Sequence, residues 1–241
     1  MHPFFRSPHP LVFAHRGGSA LAPENTMPAF ANGLLLGADG IELDVHLSRD
    51  GVAVVHHDAA VDRTTRGQGA VSSMTAAELA RLDVPALSEV LSQFRDARVI
   101  VELKVNRKEL AHAVVDVVRR ADAVERVCLG SFGRKVLNAA RGALPAMATS
   151  AAREEVRWAL YRSWVRRPSH GARYAGFQVP EFSGSTRIVS RRFVELAHAA
   201  GLGVQVWTVD TEDAARRLLE WGVDALITDR PDVIVPLVQL A

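Results

Sequence analysis

The chain has 241 residues, 48% hydrophobic and 23% charged, with a formal net charge of +2. That balance argues against a nucleic-acid partner, and the composition is that of an ordinary soluble domain long enough to bury a full core. The single cysteine, Cys128 in the apolar run RVCLGSF, excludes an intramolecular disulfide, and a lone buried thiol of this kind fits a reducing, cytoplasmic setting.

The N-terminal stretch MHPFFRSPHP carries prolines and no long apolar core, unlike a signal peptide. LVFAHR reads as a short strand stopped by Gly17 and Gly18, and a helical run through PENTMPAFANGLLLGA follows. GIELDVHL alternates Ile41, Leu43, Val45 and Leu47 with Glu42, Asp44 and His46, the period of a strand with an unusual polar second face. VAVVHHD is an extra strand. A polar excursion over 59–82 is expected to end in a short helix, with Thr75 as N-cap and Glu78 three residues on. A helix from LSEVLSQF comes next. From RVIVELK onward the chain alternates strands RVCLGSF, AMATSA, YAGFQVP, VQVWTV and ALITD with helical runs, one of them REEVRWALYRSWV. The count is about eight strands in strand–helix alternation, which predicts an α/β fold, a (β/α)₈ TIM barrel with a small insertion after the second strand. No linker interrupts the alternation, so 1–241 is read as one domain. No stretch approaches the roughly 20 apolar residues of a spanning helix.

In such a barrel the active residues project from the C-terminal ends of the strands. Those ends hold His15 and Arg16, then Glu42 and Asp44, then His56, His57 and Asp58, then Glu102 and Lys104. Glu42 and Asp44 are two apart on a strand and face the same way. Ionised carboxylates that close repel, and a hard divalent cation relieves the repulsion, with Glu102 as a third carboxylate from across the barrel; the alternative is salt bridges, with Glu42 or Glu102 neutralised by Lys104, Arg16 or another arginine. Histidines titrate near neutrality and can serve as acid and base. His56 and His57 face opposite sides of their strand, and the short runs do not choose between them. Arg16 and Lys104 suit anionic oxygens. Trp207 either walls a pocket or fills the core. Thr228 and Asp229 in LITDRPD are expected to cap the last helix.

These residues resemble the glycerophosphodiester phosphodiesterase family. AHRGGSALAPENTMPAF looks like its HRG…PENT signature, and GADGIELDVHLSRDGVAVVHHDAAVDRTT like its E-x-D block with the following histidine–aspartate and D-R-T-T turn. VELK, GSF, VQVWTVD and GVDALITDRPD match later blocks in order. The resemblance implies metal-dependent hydrolysis of glycerophosphodiesters to sn-glycerol 3-phosphate and an alcohol. It implies His15 and His57, rather than His56, as the general acid/base pair. It implies Glu42, Asp44 and Glu102 as ligands of Mg²⁺ or Ca²⁺, and Arg16 and Lys104 as phosphate contacts. Trp207 is implied beside the glycerol, with Glu24 and Asn25 supporting the mouth. LARLDVPALSEVL has almost none of the insertion usual in relatives, so a small cap over the mouth is expected. Asp210 stands where relatives often have Asn, and Gly133 where they have Asp or Asn.

Three rivals deserve a test. A lysophospholipid phosphodiesterase on the same scaffold is suggested by segment 153–173, where Trp158, Tyr161 and Trp164 mix with six arginines, as at a membrane surface; an ordinary barrel helix with a solvated Arg face is the bland alternative. A barrel lyase or aldolase would use Lys104 as a Schiff base. A silent barrel would lack catalytic groups, but every matched family position is filled.

Overall fold

The computed structural model describes residues 1–239. Strands β1 (Leu11–His15) and β2 (Gly40–Leu47) are followed by β3 (Ala53–Val55), antiparallel to β2, and then by β4 (Arg98–Leu103), β5 (Val127–Gly130), β6 (Ala148–Thr149) and β7 (Gly176–Pro180). A separate hairpin, β8 (Phe182–Ser183) and β9 (Thr186–Arg187), precedes β10 (Gly203–Trp207) and β11 (Ala225–Thr228). The parallel order β6-β5-β4-β2-β1-β11-β10-β7 is joined end to end by a parallel bridge from Ser150 to Gly176. Eight strands therefore close into the expected TIM barrel, with β6 shortened to two residues. The helices are α1 (Met27–Leu35), α2 (Ala76–Ala80), α3 (Leu87–Gln93), α4 (Lys108–Arg120), α5 (Arg134–Ala143), α6 (Arg153–Trp164), α7 (Arg191–Ala199), α8 (Glu212–Glu220) and α9 (Pro231–Gln239). Among the described residues no helix is long and apolar enough to cross a membrane.

The insertion after β2 has its own small core of Val54, Val61, Val71, Leu79 and Val84. Its α2 begins with the predicted capping box: Thr75 Oγ1 accepts the Glu78 N–H at 3.3 Å, and the Thr75 N–H donates to the Glu78 carboxylate at 2.7 Å.

The N-terminal turn Pro3–Phe5 plugs the base of the barrel. Phe4 and Phe5 are buried with Leu11, Phe13, Ile100, Cys128 and Ile227. A Cβ on Gly176 or Gly203, both at strand starts, would run into the Phe5 ring, so these glycines make its room. Each buried phenylalanine contributes about 1.5–3 kcal/mol. Cys128 is a buried thiol here, and burial pushes its pKa up.

Asp224 stitches the same end. Its carboxylate accepts the Val204 N–H at 2.7 Å and meets His198 Nε2 at 2.9 Å. The hydrogen bond to Asp224 raises the His198 pKa against the opposing effect of burial. A raised folded-state value gives stability that is full below the ordinary histidine range and lost as pH rises through the folded value. With the His198 side chain 37% exposed, solvent screening keeps the contribution below about 1 kcal/mol. His198→Gln is therefore expected to melt a few degrees below wild type at about pH 5 and to close that gap by about pH 9. A gap independent of pH in thermal melts would contradict this.

Candidate active site

The strands deliver their polar ends to one cavity of about 960 Å³. Eight of the ten predicted site residues line it: His15, Arg16, Glu42, Asp44, His57, Glu102, Lys104 and Trp207. Glu24 and Asn25 stand one layer back and hold Arg16 and Asp44 in place.

The HRGG turn explains how β1 presents its end. Arg16, Gly17 and Gly18 all have positive φ (50°, 90° and 93°). A Cβ on Gly17 would stand 2.7 Å from the Ala29 backbone, so only glycine lets the turn press onto α1. That turn carries the Arg16 N–H to Glu42 at 3.1 Å.

Each histidine of the predicted pair is braced by an aspartate at Nδ1. His15 Nδ1 lies 2.7 Å from Asp229 Oδ1, and Ser19 Oγ donates to the same oxygen. His57 Nδ1 lies 2.6 Å from Asp58 Oδ1. A carboxylate at Nδ1 fixes ring orientation and leaves Nε2 for proton transfer. His15 Nε2 is 3.8 Å from Glu42. Against burial, Glu42 and Asp229 raise the His15 pKa. His56 turns away, with Nε2 3.1 Å from the Ala60 carbonyl. The buried His46 meets the His57 carbonyl at 3.1 Å and steadies the strand end.

Thr228 Oγ1 accepts the Arg230 N–H at 2.9 Å at the entrance to α9, near the helix cap that the sequence suggests, but Asp229 is turned to the mouth. β11 pairs with β1, which brings Asp229 beside His15. Thr228 Oγ1 also donates to Asp210 Oδ1 at 2.9 Å, and Asp210 accepts the Asp229 N–H at 2.7 Å. Asp210 thereby sets the turn that aims Asp229.

A continuous run of ion pairs crosses the mouth. Asp58 takes Arg63 Nε at 2.6 Å, Arg63 forks onto Glu24 at 2.6 and 3.0 Å, and Glu24 takes Arg16 Nη1 at 3.1 Å. Arg16 Nε sits 3.3 Å from Asp44 without hydrogen-bond alignment, and Lys104 Nζ is 3.2 Å from Asp44. The Asn25 amide closes the set, donating to Asp44 at 3.0 Å and accepting its N–H at 3.2 Å. Arg63 holds the Asp58 carboxyl well below the usual carboxylate range. Arg63 is the link that the sequence reading did not single out, although it lies inside the D-R-T-T turn.

The carboxylates answer the open question only in part. The cations go to Asp44, which is committed to Lys104, Arg16 and Asn25. Glu42 and Glu102 are not neutralised in this way: burial and then Asp44 push Glu42 up to about 7, and burial pushes Glu102 up to about 8 against the pull of Lys104. Glu102 reaches the mouth because Gly130 has no side chain; a Cβ there would lie 2.6 Å from Glu102 Oε2 and 2.5 Å from Gln178 Oε1. Two uncompensated carboxylates beside a third are a donor set of the kind a hard divalent cation takes. Among the described residues, no three His, Cys, Asp or Glu side chains are already gathered for a metal ion.

The same cavity is also lined by the apolar side chains of Val156, Leu160, Trp164, Val179 and Ile188. Phe132, unmarked by the sequence reading, also lines it, T-shaped against Trp207 at 6.1 Å and with the Arg153 guanidinium over its ring at 4.9 Å. Trp207 thus walls the pocket rather than disappearing into the core.

The comparisons with known proteins give the class, a phosphoric diester hydrolase on a (β/α)₈ barrel. The sequence model of the Glycerophosphoryl diester phosphodiesterase family matches residues 15–233, and the chain belongs to that family. Its activity is accordingly that of a glycerophosphodiester phosphodiesterase. It is 32% identical to a glycerophosphodiester phosphodiesterase of Caldanaerobacter subterraneus subsp. tengcongensis, over 95% of this chain and 98% of that one. It is 31% identical to a probable glycerophosphodiester phosphodiesterase of Mycobacterium tuberculosis, over 96% and 91%. Among solved structures, a phosphodiesterase of Oleispira antarctica in complex with the product sn-glycerol-3-phosphate superposes with a TM-score of 0.75 at 27% identity, over 96% of this chain and 97% of that one.

Proposed function

We propose that the enzyme hydrolyses glycerophosphodiesters to sn-glycerol 3-phosphate and an alcohol, with His15 and His57 as the acid/base pair. The observation that carries this is the matched bracing of the two histidines, each by an aspartate at Nδ1 within 2.7 Å. The product found in the Oleispira antarctica enzyme supports the choice of product.

Arg16 and Lys104 hold the non-bridging oxygens of the phosphate, and Trp207 with Phe132 walls the glycerol. One histidine takes the proton of the attacking hydroxyl as its oxygen bonds to phosphorus. The other gives a proton to the alkoxide as the old phosphorus–oxygen bond breaks. The histidines have the same task whether water or a neighbouring substrate hydroxyl attacks first. Glu24 and Asn25 act through Arg16 and Asp44. Glu42, Asp44 and Glu102 are the residues to hold a divalent cation, Mg²⁺ or Ca²⁺. When bound, such an ion supplies positive charge to the phosphate oxygens. A cytoplasmic location goes with this reading, supported by the buried lone thiol, and fractionation of source cells checks it.

The test is a coupled assay for glycerol 3-phosphate release from glycerophosphocholine and glycerophosphoethanolamine. Release should stop with EDTA and return with Mg²⁺, Ca²⁺ or Mn²⁺, and the returning ion should raise the melting temperature of the EDTA-treated protein. Undiminished turnover in EDTA would remove the cation from the proposal, and no release under any condition would remove the substrate.

A second reading, a lysophospholipid diester in the same mouth, is favoured by the apolar lining of Val156, Leu160, Trp164 and Ile188, surface that an acyl chain on the glycerol would cover and a bare glycerol would not. A higher kcat/KM for a lysophospholipid than for glycerophosphocholine would establish it; the reverse would reject it.

A further inference from the structure

We propose that the outer face of α6 docks on an anionic lipid surface and so holds the mouth of the cavity against a bilayer. The inference adds a partner to the lysophospholipid reading and rests on that reading for its use, not for its test.

α6 does not serve only as an outer wall of the barrel. Arg153, Val156, Arg157, Leu160 and Trp164 all line the cavity, so one stripe of the helix follows the pocket along its whole length, about 18 Å for twelve residues. Its first turn is anchored from below by Arg141, which forks onto Glu155 at 2.8 and 3.0 Å. No residue from 58 to 99 lines the cavity, whereas α6 lines it from its first residue to its last.

The stripe on the other side is apolar and open. Trp158, Tyr161 and Val165 fall at i, i+3 and i+7 and are 60%, 52% and 51% exposed. Trp158 stacks on Tyr161 at 5.7 Å. Trp164, 60% exposed, joins this stripe to the lip of the cavity. Folding gains little from large rings left in water, and three of them beside an exposed valine on one helix end mark an interaction surface.

Charge selects the partner. Segment 153–173 holds six arginines against two glutamates, a net +4, so the other 220 residues of this +2 chain carry −2. Among the described residues none of those six arginines is in an ion pair, whereas Glu155 is taken by Arg141. Unpaired arginines flanking tryptophan and tyrosine are the chemistry of an anionic lipid interface. Through Trp164 the stripe meets the lining of the cavity, so a chain leaving the bilayer there would meet Leu160 and Val156 next.

The experiment is co-sedimentation of the full chain with phosphatidylcholine vesicles, with and without phosphatidylglycerol, at low and high salt. Binding should require phosphatidylglycerol and fade with salt. Trp158→Ala/Tyr161→Ala and, separately, Arg166→Glu/Arg167→Glu should each lower partitioning by about tenfold or more. Neither pair lines the cavity, so hydrolysis of soluble glycerophosphocholine should be unchanged in both. No binding of wild type to phosphatidylglycerol vesicles at low salt would overturn the proposal. So would binding that both double variants retain, or Trp158-dependent self-association without vesicle binding. Vesicle binding by a protein that hydrolyses no diester would sink the functional reading and leave this one standing.

Discussion

His15→Ala and His57→Ala are each expected to lower kcat/KM by about 10²–10⁴-fold, with melting temperatures close to wild type. Neither ring is part of the hydrophobic core; both are held at the mouth by aspartates. Asp229→Asn tests the bracing separately. Removing the anion at 2.7 Å from His15 Nδ1 takes away a cause of its raised pKa, so the His15 limb of the pH profile should move to lower pH. Steady-state assays across pH on the three variants decide the matter. Near-normal turnover in both alanine variants would take the acid/base role away from this pair.

Asp44→Ala should damage stability and activity together. The Asp44 side chain is 3% exposed and meets Lys104 at 3.2 Å, Arg16 at 3.3 Å and Asn25 at 3.0 Å. Its loss leaves two cations facing each other in a poorly solvated floor. Breaking a buried pair from one side costs about 3–5 kcal/mol, on the order of 10 °C in melting temperature at this size. Asp44→Asn keeps the shape and one hydrogen-bond acceptor, so it should melt closer to wild type. It removes the charge that holds Lys104 and Arg16, and should still lose about 10²-fold or more in kcat/KM. Turnover of Asp44→Asn near that of wild type would show that the carboxylate serves the fold alone.

Much of this was legible because a parallel barrel writes its function at regular intervals. Glu42 and Asp44 could be assigned to one face from strand period alone, and Glu102 and Lys104 from the end of the next barrel strand. The Thr75–Glu78 box is local and was equally readable. Contacts between distant strand ends were not. The partnership of His15 with Asp229 depends on β11 lying beside β1, 214 positions apart in sequence, and the TD pair before Arg230 and Pro231 is as good a local signal for a helix cap. The rule that strand ends face the mouth would have favoured Asp229. Arg63 sits in an irregular turn, where no periodicity says which way a side chain points. Phe132 and the role of α6 follow from a short β6 and from the path of the helix along the cavity. The packing of Phe4 and Phe5 was not legible either, because the glycines that receive the Phe5 ring, Gly176 and Gly203, are far along the chain.

That plug governs traffic. With phenylalanines filling the base, whatever enters at the C-terminal ends of the strands must return the same way. The two products then form a queue rather than parting through opposite doors. On the proposed roles of Arg16 and Lys104, the phosphate-bearing product would be the one held on the floor, leaving after the alcohol and competing with the next substrate for an emptying site. Competitive inhibition by glycerol 3-phosphate, with noncompetitive inhibition by the alcohol, is the kinetic signature of that order; the reverse pattern would mean that the floor empties first.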